Sequence, residues 1–143
     1  MNNFNSIKAN PTVTNLVLLA VRIFIGFAMI THGFPKLMKL AGDEELKFYD
    51  LLGMGPETTI VLAIFAEFVC SIFIILGLFT RWAVGVLIIA MLVIAFGVHG
   101  ADPFGDREMS LLYLANYLML LAFGPGKYSV DAMISRKKDL ARW

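Results

Sequence analysis

Long apolar stretches separated by short polar ones are the main pattern in this sequence. Four stand out, at residues 15–34, 58–79, 82–98 and 109–123. A helix needs roughly 20 apolar residues to cross a bilayer, with a range of about 17–25. The last stretch rises only about 22 Å at ~1.5 Å per residue, so it either thins the bilayer or extends back through 106–108. The pattern predicts an all-α membrane protein, a four-transmembrane-helix antiparallel bundle.

Proline and glycine predict where these helices begin and end. Pro35 follows the first stretch and marks its end, and Gly55-Pro56 precedes the second. Thr80-Arg81 alone separates the second stretch from the third, which predicts a tight antiparallel hairpin. Gly124-Pro125-Gly126 is a strong helix terminator. The long first loop remains, at 35–55, and its segment DEELKFYDLL predicts a short interfacial helix in the first loop at 43–52.

The composition agrees with a membrane protein. Of 143 residues, 59% are hydrophobic and 16% are charged, whereas soluble domains are about 45–50% apolar. The net charge of +1, with no Lys/Arg-rich run beside an aromatic platform, gives no indication of nucleic-acid binding. The single cysteine, Cys70, excludes an internal disulfide or a CxxC pair. It is interpreted as a buried packing residue.

The chain divides into a polar N-terminal tail at 1–14, a membrane domain at 15–126 and a basic C-terminal tail at 127–143. With four spans, both tails and the 80–81 turn share one side. Lysines and arginines concentrate on the cytoplasmic side of membrane proteins. That shared side carries seven, against four on the other, so both termini are predicted to be cytoplasmic. The seven are Lys8, Arg81, Lys127, Arg136, Lys137, Lys138 and Arg142; the four are Lys36, Lys39, Lys47 and Arg107.

Two charges lie inside stretches that otherwise read as membrane-spanning. Glu67 is the only charge in 58–79, and Arg22 is the only full charge in 16–34. A charge at bilayer depth costs a few kcal/mol or more, so it usually faces a partner or a polar cavity. Opposite signs on neighbouring helices predict that Arg22 and Glu67 pair. The alternative is a purely structural pair that fixes helix register.

Other polar residues fall at compatible depths. His32 and His99 close the first and third stretches, and Asn116 lies within about one helical turn of Glu67 in depth. We therefore predict that His32, Glu67, His99 and Asn116 line one pocket open to the non-cytoplasmic side, with Arg22 beside Glu67. Interfacial histidines and interhelical hydrogen bonds are the structural alternatives. No metal site is predicted, because these ligand types have no tight motif spacing.

The same residues carry a resemblance. The first stretch reads Arg22-x3-Gly26-x5-His32-Gly33-x2-Lys36, and the second contains Glu67 followed by Leu76-Gly77-Leu78-Phe79-Thr80-Arg81. With His99 near the end of the third, this pattern resembles the DoxX family from about residue 15 to 126. The family's polar positions map to Arg22, His32, Lys36, Glu67, Arg81 and His99.

The resemblance implies a four-helix protein of the bacterial inner membrane. Its best-known relatives are membrane subunits of thiosulfate:quinone oxidoreductase, and others are linked to membrane oxidoreductase complexes and thiol-stress responses. One hypothesis is therefore a redox membrane subunit that handles a quinone or a small sulfur species, with Glu67 relaying protons. It predicts no intrinsic cofactor, because the chain has no haem-ligand motif, Fe–S cysteines or nucleotide fingerprint, so electrons come from a soluble redox partner or a diffusible donor.

The alternative is a non-catalytic membrane module. It would act as a scaffold for a soluble enzyme or as a bundle that binds a lipid or another small molecule. The basic run Arg136-Lys137-Lys138 suits anionic membrane lipid or a partner. The sequence leaves open whether the protein is catalytic, which substrate it takes and whether it forms oligomers.

Overall fold

The protein is all-helical in the part that the structure, a computed structural model, describes: residues 10–42 and 47–140. No strand occurs in those ranges. Two of the helices each include a π-helical segment, Phe65–Cys70 in α2 and Val93–Val98 in α3. The helices are α1 (Pro11–Ala41), α2 (Pro56–Leu76), α3 (Thr80–Val98), α4 (Phe104–Phe123) and α5 (Val130–Leu140).

Helix α1 begins at a capped proline and continues well past its predicted end. The Asn10 side chain accepts a hydrogen bond from the Thr12 amide at 2.9 Å, with Pro11 in the first turn. Pro35 was expected to end the helix, but it lies inside it and α1 runs on to Ala41. Proline removes one helical hydrogen bond, a loss that helices packed in a membrane tolerate. This correction places the next turn, with Lys36, on the helix.

Helices α2 and α3 form the predicted tight hairpin, but its turn lies at 77–79, and Thr80 and Arg81, which were expected to form it, begin α3. Gly77 ends α2 with φ 69°, and Phe79 precedes α3 with φ 46°, so both lie in the left-handed region. Without a Cβ, glycine adopts that conformation at little cost. Three residues, 77–79, therefore suffice to reverse the chain.

Helix α4 takes the longer of the two predicted forms. It begins at Phe104, after Pro103, and includes residues 106–108, so its 20 residues rise about 30 Å. By length and composition, three helices of the described chain qualify to cross a membrane: α1, α2 and α3. The acidic and basic residues in the first turns of α4 set it apart from them.

The four long helices contact one another in cyclic order, α1 to α2, α2 to α3, α3 to α4 and α4 to α1. Helices α1 and α2 run antiparallel, since Gly26 lies against Ile75 and Gly33 against Phe68. We call the end with Pro11, the 77–79 turn and α5 the tail end. The opposite end, with Ala41, Pro56 and the 99–103 turn, is the loop end.

The predicted interfacial helix is not found in the described part of the first loop. Residues 47–50 have no regular structure and 51–54 form a turn; residues 43–46 lie outside the described chain. Most of the polar N-terminal tail also lies outside it. The basic C-terminal tail contains α5, which packs at the tail end through hydrogen bonds described below.

Candidate functional site

Glu67 pairs with Lys36. The Lys36 ammonium donates a hydrogen bond to Oε1 of Glu67, and the carboxylate side chain is almost fully buried. Lys36 lies one residue after Pro35 on α1, and Glu67 lies in the π-helical segment of α2. A buried charge requires a partner in a low-dielectric interior. The lysine therefore neutralises the only charge in the middle of α2.

Arg22 does not pair with Glu67, so that prediction is wrong. Its Nη2 donates to the backbone carbonyl of Tyr128 at 2.5 Å, and its guanidinium lies beside Gly77. Gly77 is ten residues from Glu67 along α2, or about 15 Å in axial rise. Arg22 thus belongs to the tail end and Glu67 to the loop-end half.

Close packing of α1 on α2 brings Lys36 to Glu67. An ideal Cβ at Gly33 would lie 2.9 Å from the amide nitrogen of Phe68 and 3.1 Å from the Glu67 Cβ. Only glycine permits the two backbones to approach this closely. Lys36 follows Gly33 by three residues, so it shares that helix face and reaches the carboxylate.

A cavity of about 480 Å³ opens beside this pair. Its walls are aliphatic and aromatic side chains of α2 and α3, and its few polar groups include Lys36, Thr59, Glu67 and His99. Ile89 lines the cavity and is 64% exposed. Leu62 and Phe65 of α2 also line the cavity and are exposed. The cavity is therefore apolar, has an ion pair on its wall, and is bordered by side chains that would face lipid.

Both π-helical segments contribute to this cavity. Phe65–Cys70 supplies Phe65, Ala66 and Glu67, and Val93–Val98 supplies wall residues from α3. A π-helical turn inserts an extra residue and widens the helix, and such turns recur at functional sites. Glu67, in the π-helical segment of α2, both lines the cavity and pairs with Lys36 of α1.

The first loop covers the loop end of the cavity. Phe48, Tyr49 and Leu51 line it, and the Lys36 ammonium lies 5.9 Å from the centre of the Phe48 ring. The loop is fixed to α2, because the Leu51 amide donates to Oγ1 of Thr59 at 3.0 Å. The segment expected to be an interfacial helix thus forms an irregular roof in its described part.

The four residues predicted to share a pocket are only partly brought together. Glu67 and His99 line the cavity, and Nδ1 of His99 lies 2.8 Å from Oδ2 of Asp102. His32 lies outside the lining and packs edge-on against Tyr113, with ring centroids 5.9 Å apart. Asn116 is also outside the lining, and its amide donates to the Leu112 carbonyl of its own helix at 2.8 Å.

The remaining family-motif arginine, Arg81, is exposed at the tail end, near Gly124. Across the described residues, no group of three or more His, Cys, Asp or Glu side chains is placed to hold a metal ion. Cys70 is buried in the core as a free thiol. The chemistry that the sequence highlighted therefore concentrates at the Lys36–Glu67 pair and the cavity beside it.

A second set of polar atoms lies behind Glu67. Oε2 of Glu67, Oγ of Ser71 and the Tyr117 hydroxyl are buried without a hydrogen-bond partner among the described residues. Tyr117 stacks on Tyr113, with ring centroids 6.1 Å apart. Buried polar atoms of this kind are usually satisfied by ordered water. Glu67 thus borders the cavity on one side and a polar interior on the other.

Lys36 is the functional residue that reasoning from spacing missed. Arg22, Gly26, Met29 and Gly33 share one face of the first helix by their spacing, and Lys36 continues that face by three residues. Ending the helix at Pro35 removed it from the pattern. Had the stripe been followed past the proline, the lysine would have emerged as the cation nearest Glu67.

The fold and site define a class: an integral membrane protein of apolar helices in which a buried glutamate pairs with a half-buried lysine beside an apolar cavity. The DoxX family model matches residues 17–100, more than half of the chain. The chain therefore belongs to the DoxX family.

Relatives of similar length support this assignment. Two inner membrane proteins of Escherichia coli (strain K12) are each 29% identical over 126 residues: YqjF, covering 84% of this chain and 93% of its own length, and YphA, covering 81% and 89%. An uncharacterized protein of Haemophilus influenzae is 28% identical over 127 residues, covering 84% and 92%. No solved structure matches. Together with the three apolar helices, these relatives make the chain a multi-pass protein of a bacterial inner membrane.

Proposed function

We propose that the protein crosses the inner membrane four times, with α4 as the fourth span and both termini in the cytoplasm. The cyclic packing of α4 between α3 and α1 supports a fourth span, because α4 shares their core. The excess of Lys and Arg on the tail-end side supports the orientation. In this arrangement the cavity lies in the outer half of the membrane.

In this proposed orientation, the cavity binds a quinone, and the protein serves as a membrane component of a quinone- or sulfur-linked oxidoreductase system. The observation that carries this proposal is the pair of half-buried Lys36 and buried Glu67 on the wall of an otherwise apolar cavity. Ligand sites of this kind combine apolar walls with a few placed polar groups. The Lys36 ammonium would donate to a quinone carbonyl, while the isoprenoid tail leaves between α2 and α3.

The ion pair suits the proton chemistry of this ligand. A quinone becomes a quinol by taking up two electrons and two protons. In the ion pair Glu67 is a carboxylate, so the Lys36 ammonium would donate one proton to a quinone oxygen. The second proton would come from water, and Glu67 would take it up and pass it on. The electrons would come from a small sulfur compound or from a soluble redox partner.

The test is the quinone content of the purified protein. The chain, reconstituted in nanodiscs, is expected to carry quinone above the level of empty nanodiscs. Ile89→Trp places a larger ring in the cavity opening and should lower that content at least tenfold. Phe96→Trp is the matched control, since Phe96 is exposed on the same helix but does not line the cavity. Equal quinone content in both variants, or none above background, would contradict the proposal.

A non-catalytic lipid-binding module is the second candidate. The observation that favours it is the exposure of Ile89, Leu62 and Phe65 at the edge of the cavity, which would admit an acyl chain directly from the bilayer. The same extracts distinguish the two functions. Stoichiometric phospholipid that Ile89→Trp displaces, in place of quinone, would support this candidate.

A further inference from the structure

Helix α5 is held rigidly at the tail end. Oδ1 and Oδ2 of Asp131 accept hydrogen bonds from the amides of Phe79 and Thr80 at 2.8 and 2.9 Å. The Asp131 amide donates to the Gly77 carbonyl at 2.8 Å, and Arg22 holds the Tyr128 carbonyl. These bonds join the start of α5 to three other elements, so the direction in which its free face points is fixed.

The free face of α5 is apolar and bordered by bases. Met133 and Ile134 are 65% and 43% exposed. Lys137 follows Ile134 by three residues and Met133 by four, and Lys138 follows Ile134 by four, so both lysines adjoin these side chains on the helix. Both lysines are exposed. A helix with exposed apolar side chains beside lysines is typical of a segment that lies in the membrane interface.

The neighbouring residues indicate that this face lies at the membrane–water boundary. Phe79, in the 77–79 turn, and Trp82, in the first turn of α3, are 65% and 55% exposed, and Tyr128 is 46% exposed. Aromatic side chains concentrate at that boundary, where their rings contact headgroups and upper acyl chains. Arg81 is exposed beside them. The apolar side chains of α5 at this level would reach acyl chains, and its lysines would reach headgroups.

We propose that α5 is a surface-lying anchor that binds anionic phospholipid, with Met133 and Ile134 against the acyl chains and Lys137 and Lys138 on the headgroups. Charge complementarity selects this occupant, because the exposed charges of the face are basic and the acid at the start of the helix, Asp131, is engaged by backbone amides. The anchor does not depend on a ligand in the cavity, so this proposal is independent of the proposed quinone site.

Depth-dependent fluorescence quenching tests where the face lies. A fluorophore is attached at Met133→Cys in a Cys70→Ala background, in nanodiscs that contain phospholipids spin-labelled on the acyl chain. Ser135→Cys is the matched control, since Ser135 is exposed and lies on the opposite side of the helix from Met133. Strong quenching at 133 and weak quenching at 135 are expected. Equal quenching at both positions, or none at 133, would overturn the proposal and leave the face for a soluble partner.

Lipid binding tests the headgroup preference. Native mass spectrometry of the detergent-purified chain should show more bound phosphatidylglycerol than phosphatidylcholine. Each lysine near an anionic surface contributes roughly fivefold in binding, so Lys137→Gln with Lys138→Gln should lower phosphatidylglycerol retention about 25-fold and leave phosphatidylcholine unchanged. Lys47→Gln at the loop end is the control and should change neither. Unchanged phosphatidylglycerol retention in the double variant would refute the role of the lysines.

Discussion

Lys36 and Arg22 show how the direction in which a long side chain points decides which charges come into contact. Long side chains on a helix point back toward its N-terminus. Lys36 therefore reaches back to the level of Glu67, whereas Arg22 reaches away from Glu67, toward Tyr128 at the tail end. An estimate of the depth of each charged group from its backbone position alone leaves out this displacement of the side chain along the helix. The two cations of α1 thus serve opposite ends of the molecule.

A double-mutant cycle measures the pair. Lys36→Met strands the buried carboxylate of Glu67, and Glu67→Met strands the ammonium. Each single change should cost about 3–5 kcal/mol of unfolding free energy, whereas the double change should cost clearly less than the sum. Unfolding in mixed detergent micelles with increasing denaturing detergent provides the measurement.

The matched control uses Arg22. Because the Arg22 guanidinium and Glu67 are about 15 Å apart along the axis, Arg22→Met and Glu67→Met should add to within about 0.5 kcal/mol. Strong coupling between Arg22 and Glu67, together with additive effects of the Lys36 and Glu67 changes, would contradict the observed Lys36–Glu67 pair and support the predicted Arg22–Glu67 pair.

At the scale of elements, apolar length was sufficient to locate all four long helices, because each stretch exceeds what a soluble loop carries. The ends were harder. In water, proline usually ends or kinks a helix. Here α1 packs against other helices and continues past Pro35. The two π-helical segments were not predicted, because the apolar pattern of α2 and α3 does not distinguish a π-helical turn from an α-helical one. Glu67 could be predicted as a candidate site residue because it is the only charge in its apolar stretch. The position of the first loop over the cavity could not be predicted.

Gly33 sets the spacing of α1 and α2, and Gly33→Ala tests this. The new Cβ would meet backbone atoms of Glu67 and Phe68 at about 3 Å, and backbone cannot move aside as a flexible side chain can. The helices must separate, at a cost of roughly 1–3 kcal/mol. The thermal unfolding temperature should fall.

Gly85→Ala on α3 is the matched control. Nothing lies within 4 Å of its added Cβ, and alanine favours a helix over glycine by about 1 kcal/mol. Its unfolding temperature should stay level or rise. A fall of equal size in both variants would mean that the α1–α2 contact does not explain the Gly33 result.

At the scale of the whole molecule, the two ends differ in character. The tail end is tied together by hydrogen bonds from Arg22 and Asp131 to backbone groups of the 77–79 turn, the start of α3 and the segment before α5. The loop end contains the cavity and an irregular roof. A fixed end and an open end suit a protein that is anchored on one face of the membrane and receives its ligand near the other. The orientation therefore decides from which side a ligand or partner approaches.

That orientation leads to the last prediction, which also tests whether α4 crosses the membrane. In a Cys70→Ala background, single cysteines replace Asp106 at the start of α4 and Ser135 on α5; both positions are exposed. In intact cells, a membrane-impermeant maleimide should label position 106 only, because the excess of lysine and arginine keeps the tail end inside. Permeabilising the cells should then expose position 135. Labelling of both from outside would mean that α4 does not span, and labelling of 135 alone would reverse the orientation and place the cavity in the cytoplasmic leaflet.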